Sequence, residues 1–395
     1  MKKNSAIFGA AFLMATSAIG PGFLTQTSLF TEELRTSFGF VILISLLLDI
    51  GAQLNIWRII SVSNQRAQDI ANQLVPGLGL ALACLIGFGG LVFNVGNIAG
   101  CGLGLNALSG MDIRIGAVVS CVMALAIFWY REAGRLMDNF VKLLGVLMIL
   151  FTLYIAVSSQ PPLGEALYRT VWPQQIDVLK IVTLVGGTVG GYISFAGAHR
   201  LLDAGVHGQA SLPQVTRSSI SGIAITSVMR FVLFFAALGV VWQGGKLGVE
   251  NPAGAVFQLA AGDTGHRFFG FVMWCASITS VIGASYTSVS FCKTLHPAME
   301  KYSRSMVTLF IISAAIIFIV IAKPALLLVL AGAVNGLILP IALAVILIAA
   351  QRKKIVGDYH HPRWMQIAGW TVVIAMTGMG IMTVKQNLQK LLQLL

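Results

Sequence analysis

Eleven apolar runs, each long enough to cross a hydrocarbon core that takes roughly 20 residues, dominate this chain. They lie near 5–34, 38–62, 77–105, 113–130, 136–157, 178–205, 219–242, 268–292, 304–323, 325–350 and 364–384. In lipid every backbone N–H and C=O must find an internal partner, so runs of this kind fold as helices. Only 10% of the 395 residues are charged, against about 25% in a soluble domain. The expected class is an all-α membrane protein forming a single membrane domain over 1–395, with no soluble domain at either end. A net charge of +12 raises nucleic acid as a partner, but the basic residues sit in short loops between spans, so membrane lipid is expected instead.

Those loops also give an orientation. With the N-terminus inside, fifteen of the 26 Lys and Arg residues fall on the cytoplasmic side, from Lys2 and Lys3 to Arg352, Lys353, Lys354 and Arg363. Eight fall outside and three, Lys142, Lys180 and Arg230, within spans. This asymmetry places the N-terminus in the cytoplasm and the C-terminus outside, in the cell membrane of a bacterium. The start, Met1-Lys2-Lys3 and an apolar run, also fits a secretory signal. Its apolar character continues through Gly20, so it is expected to remain as the first span. The five cysteines (Cys84, Cys101, Cys121, Cys275, Cys292) lie in spans without CxxC spacing and read as packing residues.

Two spans are interrupted in corresponding places. The first breaks at Ile19-Gly20-Pro21-Gly22 and runs on into Thr25-Gln26-Thr27; the sixth breaks at Gly186-Gly187-Thr188-Val189-Gly190-Gly191. Unwound backbone at membrane depth survives only where it is buried in protein or lines a cavity. Paired interruptions in two repeats point to a transporter's binding site. Five spans is an odd number, so spans one to five (1–157) and six to ten (178–350) form a 5+5 repeat of inverted topology, with 364–384 as an extra helix. A third interruption is expected at Ala331-Gly332-Ala333-Val334-Asn335-Gly336. Span three carries a run of glycines, read as helix packing, together with Asn94 and Asn97 on one face. Asp49 in span two and Arg230 in span seven are intramembrane charges, which mark either a structural pair or the transport pathway. His199, Arg200 and Asp203 read as the surface end of span six, with a gate salt bridge as the alternative. There is no HExxH, Walker loop or Gly-x-Ser-x-Gly elbow, so neither an enzyme nor an ATP-driven pump is expected, and no cofactor is implied.

In four places the chain resembles the NRAMP divalent metal transporters, and within them a divergent, YcsG-like branch. Phe38-Gly39-Phe40 is similar to the start of the family's second span, and counting back places Leu24-Thr25-Gln26-Thr27 at its Asp-Pro-Gly-Asn break. Gly187-Thr188-Val189-Gly190-Gly191-Tyr192 resembles the Ala-Thr-Val-Met-Pro-His break of the sixth span. Leu103-Gly104-Leu105-Asn106-Ala107-Leu108 and Leu339-Pro340-Ile341-Ala342 are similar to stretches of the third and tenth. The resemblance implies a LeuT-like fold with broken first and sixth helices, working by alternating access. The usual metal-binding residues are missing, however. The Asp, Asn and Met ligands of the family fall on Leu24, Thr27 and Gly190, its polar tenth-span position on Gly332, and its two third-span acids on Asn94 and Asn97.

What remains is hydroxyl, amide and carbonyl oxygen, which suits hard cations rather than soft ones. The expected function is secondary transport of a divalent metal cation such as Mg²⁺, bound by Leu24, Thr25, Gln26, Thr27, Gly190, Gly191, Tyr192 and Asn335. Thr25, Gln26 and Thr27 are the candidate metal ligands. Asp49, Asn94, Asn97 and Arg230 are the candidate pathway or coupling residues, and amides in place of acids leave proton coupling without its family groups. The alternative is a small organic solute, such as a carboxylate or amino-acid derivative, on the same fold.

Overall fold

The computed structural model describes residues 20–292 and 297–392. Each of the eleven expected spans falls on a helix there, although 5–19, the first half of span one, lies outside the described residues. In chain order the helices are α1 (Pro21–Leu34), α2 (Phe38–Ser63), α3 (Ala67–Leu74), α4 (Leu78–Ser109), α5 (Ile113–Trp129), α6 (Arg131–Ser158) and α7 (Leu163–Val171). They continue as α8 (Val178–Val189), α9 (Ile193–Asp203), α10 (Leu212–Trp242), α11 (Pro252–Ser290), α12 (Ser303–Ile321), α13 (Pro324–Ala349) and α14 (Arg363–Leu392). Two single-turn helices, Pro297–Lys301 and Lys353–Val356, lie in the connections.

The first break is a helix start. Gly20 is extended (φ −85°, ψ −176°) and Pro21 occupies the first helical position, where its fixed φ and missing N–H cost nothing. Thr25, Gln26 and Thr27, expected in unwound backbone, are therefore helical, one turn inside α1. The other end of α1 is set by Arg35 (φ 49°, ψ −128°). Without that turn the 43 residues from Pro21 to Ser63 would make a helix of about 65 Å, twice the hydrocarbon thickness.

The second break is shorter than the sequence suggests. α8 stays helical through Gly186, Gly187 and Thr188, and only Gly190, Gly191 and Tyr192 leave the helix before α9. The third expected interruption does not occur, because α13 is continuous from Pro324 to Ala349 with Pro340 inside it. Close approach explains both differences. A methyl built on Gly186 would collide with the Gly332 carbonyl and stand 2.7 Å from Gly336 Cα, and one on Gly336 would collide with the Val182 carbonyl. The glycines let α8 and α13 cross backbone to backbone instead of unwinding either helix.

Two connections read as loops also contain helix. In 158–177, α7 turns 107° from the end of α6 and packs Ala166 inward while Leu163, Leu167, Tyr168 and Val171 stay exposed, as a helix lying in the membrane interface does. In 243–266, Asn251 caps Gly254 N–H at 2.9 Å and opens α11, which bends at Gly262 (φ 64°). The glycine run of span three packs as expected: Gly104 lies against the Trp274 backbone and Gly100 against Pro21, so that α4 and α11 form the most extensive helix pair. α1 sits at the middle of the bundle, touching α4, α8, α10, α11 and α13.

Polar ties close both ends of the sixth span. At its start Lys180 reaches Glu33 of α1 at 2.7 Å. At its end Asp203 pairs with Arg66 at 2.7 Å. His199, read as a surface residue, is buried; its Nε2 accepts the Ala67 N–H at 3.2 Å and its ring packs on Phe291. On the same face Arg58 Nε donates to Tyr359 Oη at 3.2 Å, and Tyr359 Oη lies 3.1 Å from His361 Nδ1. The chain ends with His361 Nε2 at 2.6 Å from Asn55 Oδ1. Both Asn55 amide protons go to carbonyls, of Gly51 and Met365, so Nε2 must donate and Nδ1 must accept. That arrangement needs a neutral imidazole. Burial first, and the Arg58 charge second, hold His361 down at about 4. The unfolded chain takes up this proton near the ordinary value of about 6.5 and the folded one does not. Stability should therefore be constant above about pH 6.5 and fall as pH drops from there toward 4. His361→Gln should flatten that part of the stability-versus-pH curve in detergent, and an unchanged slope would show that the network does not depend on the neutral ring.

Candidate functional site

The broken sixth helix is held by one side chain of α13. Breaking the helix frees the N–H groups of Gly191 and Tyr192, which have no water to turn to. Gly191 N–H donates to the Asn335 carbonyl at 3.0 Å, and Tyr192 N–H donates to Asn335 Oδ1 at 3.1 Å. The Asn335 amide nitrogen is also occupied, donating to Gly89 O at 3.0 Å and Ala331 O at 2.9 Å. Asn335, expected to face the solute, is thus a clamp joining α4, α13 and the break. Tyr192 is similarly engaged: its hydroxyl donates to Ala284 O at 3.2 Å and its ring packs on Phe93. Gly190 and Gly191 are packed against Asn335 and Ile338, with no room for a side chain.

A cavity on the order of one water molecule in size lies beside the first break, against α8 one turn before the second. Gly20, Gly22, Phe23 and Gln26 line it from the first span, and Gly187 from the sixth. Phe93, Gly96 and Asn97 contribute from the third, and Leu328 and Ala331 from the tenth. Of the sequence-derived candidates, Gln26 and Asn97 line this cavity. Helical spacing explains the selection: once α1 starts at Pro21, positions 22, 23 and 26 share a face, and Leu24, Thr25 and Thr27 point elsewhere into the core. Thr25 and Thr27 are fully buried, and their hydroxyl oxygens find no hydrogen-bond partner among the described residues. Phe93, Leu328 and Ala331 were not legible as site residues, because an apolar residue in an apolar span carries no distinguishing signal.

Gln26 is the principal polar group of the cavity. Its Nε2 donates to Leu328 O at 2.9 Å, and its Oε1 is buried without a partner among the described residues. Asn94 and Asn97 form a short chain to α11, Asn97 Nδ2 to Asn94 Oδ1 at 3.5 Å and Asn94 Nδ2 to Ser285 Oγ at 2.9 Å.

The two intramembrane charges meet through a third residue. Arg230 Nη1 donates to Thr188 Oγ1 at 2.7 Å, and Asp49 also interacts with Thr188. The guanidinium lies 4.4 Å over the ring of Phe23, a cavity-lining residue, in a favourable cation–π arrangement. Asp49 and Arg230 make no direct ion pair in the structure described, and Asp49 Oδ1 and Arg230 Nε and Nη2 are left unpartnered among the described residues. Arg230 thus touches the first break through Phe23 and the second through Thr188. No group of three or more His, Cys, Asp or Glu among the described residues is placed to hold a metal. Among the described residues, a cation in this cavity would meet neutral oxygens only.

The clamp can be tested without knowing the solute. Asn335→Ala should cost about 1–3 kcal/mol, since it strands the Tyr192 N–H, whereas Gly89 O and Ala331 O lie inside continuous helices and keep their own helical donors. Denaturation in detergent measures the total, and amide hydrogen exchange at Tyr192 should accelerate. An unchanged Tyr192 exchange rate would mean that Asn335 does not hold the break.

Comparison with known proteins places this geometry in a family. The profile of the Nramp family, natural resistance-associated macrophage protein-like, matches residues 11–386. The chain is 57% identical over 387 residues to the membrane protein YcsG of Bacillus subtilis (strain 168), covering 98% of this chain and 96% of that protein. It is 24% identical over 389 residues to the divalent metal cation transporter MntH of Brucella suis biovar 1 (strain 1330), covering 90% and 85%. Among solved structures, a variant of the Eremococcus coleocola manganese transporter superposes with a TM-score of 0.74 at 16% identity, over 96% of this chain and 86% of that one. The fold is LeuT-like, a 5+5 inverted repeat with broken first and sixth helices and one extra helix. The chain belongs to the Nramp family of membrane transport proteins.

Proposed function

We propose that the protein is a secondary transporter of a divalent metal cation, a hard one such as Mg²⁺, working by alternating access around the cavity beside the first break. The observation that carries this reading is the buried Gln26 Oε1, without a partner among the described residues, on the wall of that cavity. An amide oxygen is a hard ligand, and one left without a donor favours a cation. The family supports a metal as cargo, as does the manganese transporter that shares the fold. The whole chain would act as one transport domain, with 1–157 and 178–350 as its repeats and 364–384 as the extra helix. It would lie in a bacterial cell membrane with the N-terminus cytoplasmic.

A shell of neutral oxygens holds a divalent ion loosely, because affinity rises with ligand charge. Saturable Mg²⁺ uptake into proteoliposomes is therefore expected with a KM of order 10⁻⁴–10⁻³ M, the range of weakly charged oxygen sites. Uptake should leave internal pH unchanged, because Asn94 and Asn97 carry no proton to move. Acidification that follows Mg²⁺ entry and disappears in Asp49→Asn would instead assign coupling to Asp49.

One observation favours a second reading. Arg230 presents Nε and Nη2, the edge that grips a carboxylate in two parallel hydrogen bonds, without partners and buried beside the first break. A small organic carboxylate would use that edge. A panel of carboxylates and amino acids run beside Mg²⁺, Mn²⁺ and Ca²⁺ separates the two. Carboxylate uptake abolished by Arg230→Gln, with no response to any metal, would replace the cation reading.

A further inference from the structure

Gln26 is held in a slot cut by two glycines from two other helices. A methyl built on Gly187 of α8 would stand 2.6 Å from Gln26 Oε1, and one on Gly332 of α13 would stand 2.6 Å from Nε2. Neither distance is one that real Cβ atoms adopt. Both glycines lie in helical backbone without positive φ, so no special conformation requires them. In a helix each is less favourable than alanine by about 1 kcal/mol. Space for the Gln26 amide is what both have in common, although a methyl on Gly332 would also stand 2.5 Å from the Thr183 carbonyl, so that glycine serves the helix crossing as well. The third wall is Leu328, whose carbonyl can only accept; the nitrogen of the amide must face it, and this fixes Oε1 toward Gly187.

On the cation reading, we infer that Gly187 and Gly332 are positioning residues that hold Gln26 Oε1 rigid as the size-selecting ligand of the site. Mg²⁺ demands oxygen at 2.0–2.1 Å in near-ideal octahedral geometry, whereas Ca²⁺ accepts 2.3–2.6 Å and irregular shells. With Gly187 against its oxygen and Gly332 and Leu328 O against its nitrogen, the amide cannot swing to follow the larger ion outward, so the slot discriminates in favour of the smaller one. The sixth and tenth spans thus set selectivity without supplying a ligand. They do so by shaping the space around a ligand of the first.

The test measures Mg²⁺ uptake and its competition by Ca²⁺ in proteoliposomes for Gln26→Ala, Gly187→Ala and the double variant. Each single change should raise the Mg²⁺ KM about tenfold, the equivalent of one charge-assisted hydrogen bond, and reduce the preference for Mg²⁺ over Ca²⁺. The double variant should be no worse than Gln26→Ala alone, because a residue acting through Gln26 has nothing left to act on. Multiplying losses, or a Mg²⁺/Ca²⁺ preference unmoved by Gly187→Ala, would overturn the inference. Should Gly187→Ala not fold, Gln26→Glu decides the matter: it keeps both glycines but gives up the bond to Leu328 O, so the stabilisation must come from the metal, read as the thermal shift on adding Mg²⁺ alone in detergent. A strong gain, larger for Mg²⁺ than for Ca²⁺, supports the slot whether or not the wild type moves metal. A wild type silent to every metal combined with such a gain would sink the proposed function and keep the slot. No gain in Gln26→Glu would remove the slot, even if the wild type transports Mg²⁺.

Discussion

Everything at the centre of this protein depends on Asn335 closing the hydrogen bonds that the broken sixth helix leaves open. A helix interrupted in hydrocarbon exposes amides that water cannot reach, at several kcal/mol each. Here the backbone carbonyl of Asn335 takes one and its side-chain oxygen takes the next, while its nitrogen ties α13 to α4. The break is therefore a built feature with its own partners. The glycines around it have the complementary task of bringing α8 and α13 close enough for a single asparagine to reach across.

The buried charges follow the same economy. Two opposite charges in a low-dielectric interior cost desolvation that only good geometry recovers. Asp49 and Arg230 share Thr188 instead of pairing directly, and Arg230 rests its face on Phe23. Thr188 lies two residues before the second break, and Phe23 in the first turn after the first break. The charges therefore contact a residue near each break.

Much of this was legible in the sequence, and the parts that were not share a cause. Span positions and the two breaks follow from hydropathy and from Gly20-Pro21 and Gly190-Gly191, since length and backbone satisfaction leave few alternatives. The glycines of α13 were misread as an interruption. A glycine that permits a helix crossing and one that permits unwinding look identical until the neighbouring backbone is known. The same ambiguity hid the role of Gly187 and turned Asn335 from a clamp into an expected ligand. Thr25 and Thr27 were grouped with Gln26 by adjacency, whereas the helix phase that begins at Pro21 sends only Gln26 to the cavity. His199 looked like a surface residue because it neighbours Arg200 and Asp203. Only the fold shows that the α3 backbone covers it.

The contacts that hold the scaffold are separate from the residues that line the cavity, so the fold does not depend on what those lining residues are. The breaks are held by Asn335, by carbonyl-to-amide bonds and by glycine contacts, none of which needs a charged group in the cavity. If, as the resemblance implies, the family's Asp, Asn and Met ligands fall on Leu24, Thr27 and Gly190, their replacement would leave these contacts in place and change only what the site can bind. The same separation bears on selectivity. In a site of charged ligands, affinity comes from electrostatics and tolerates some movement of the oxygens. In a neutral site it must come from placement, because an amide dipole offers little unless its oxygen is already where the ion needs it. A fixed amide between two glycines is what such a site requires.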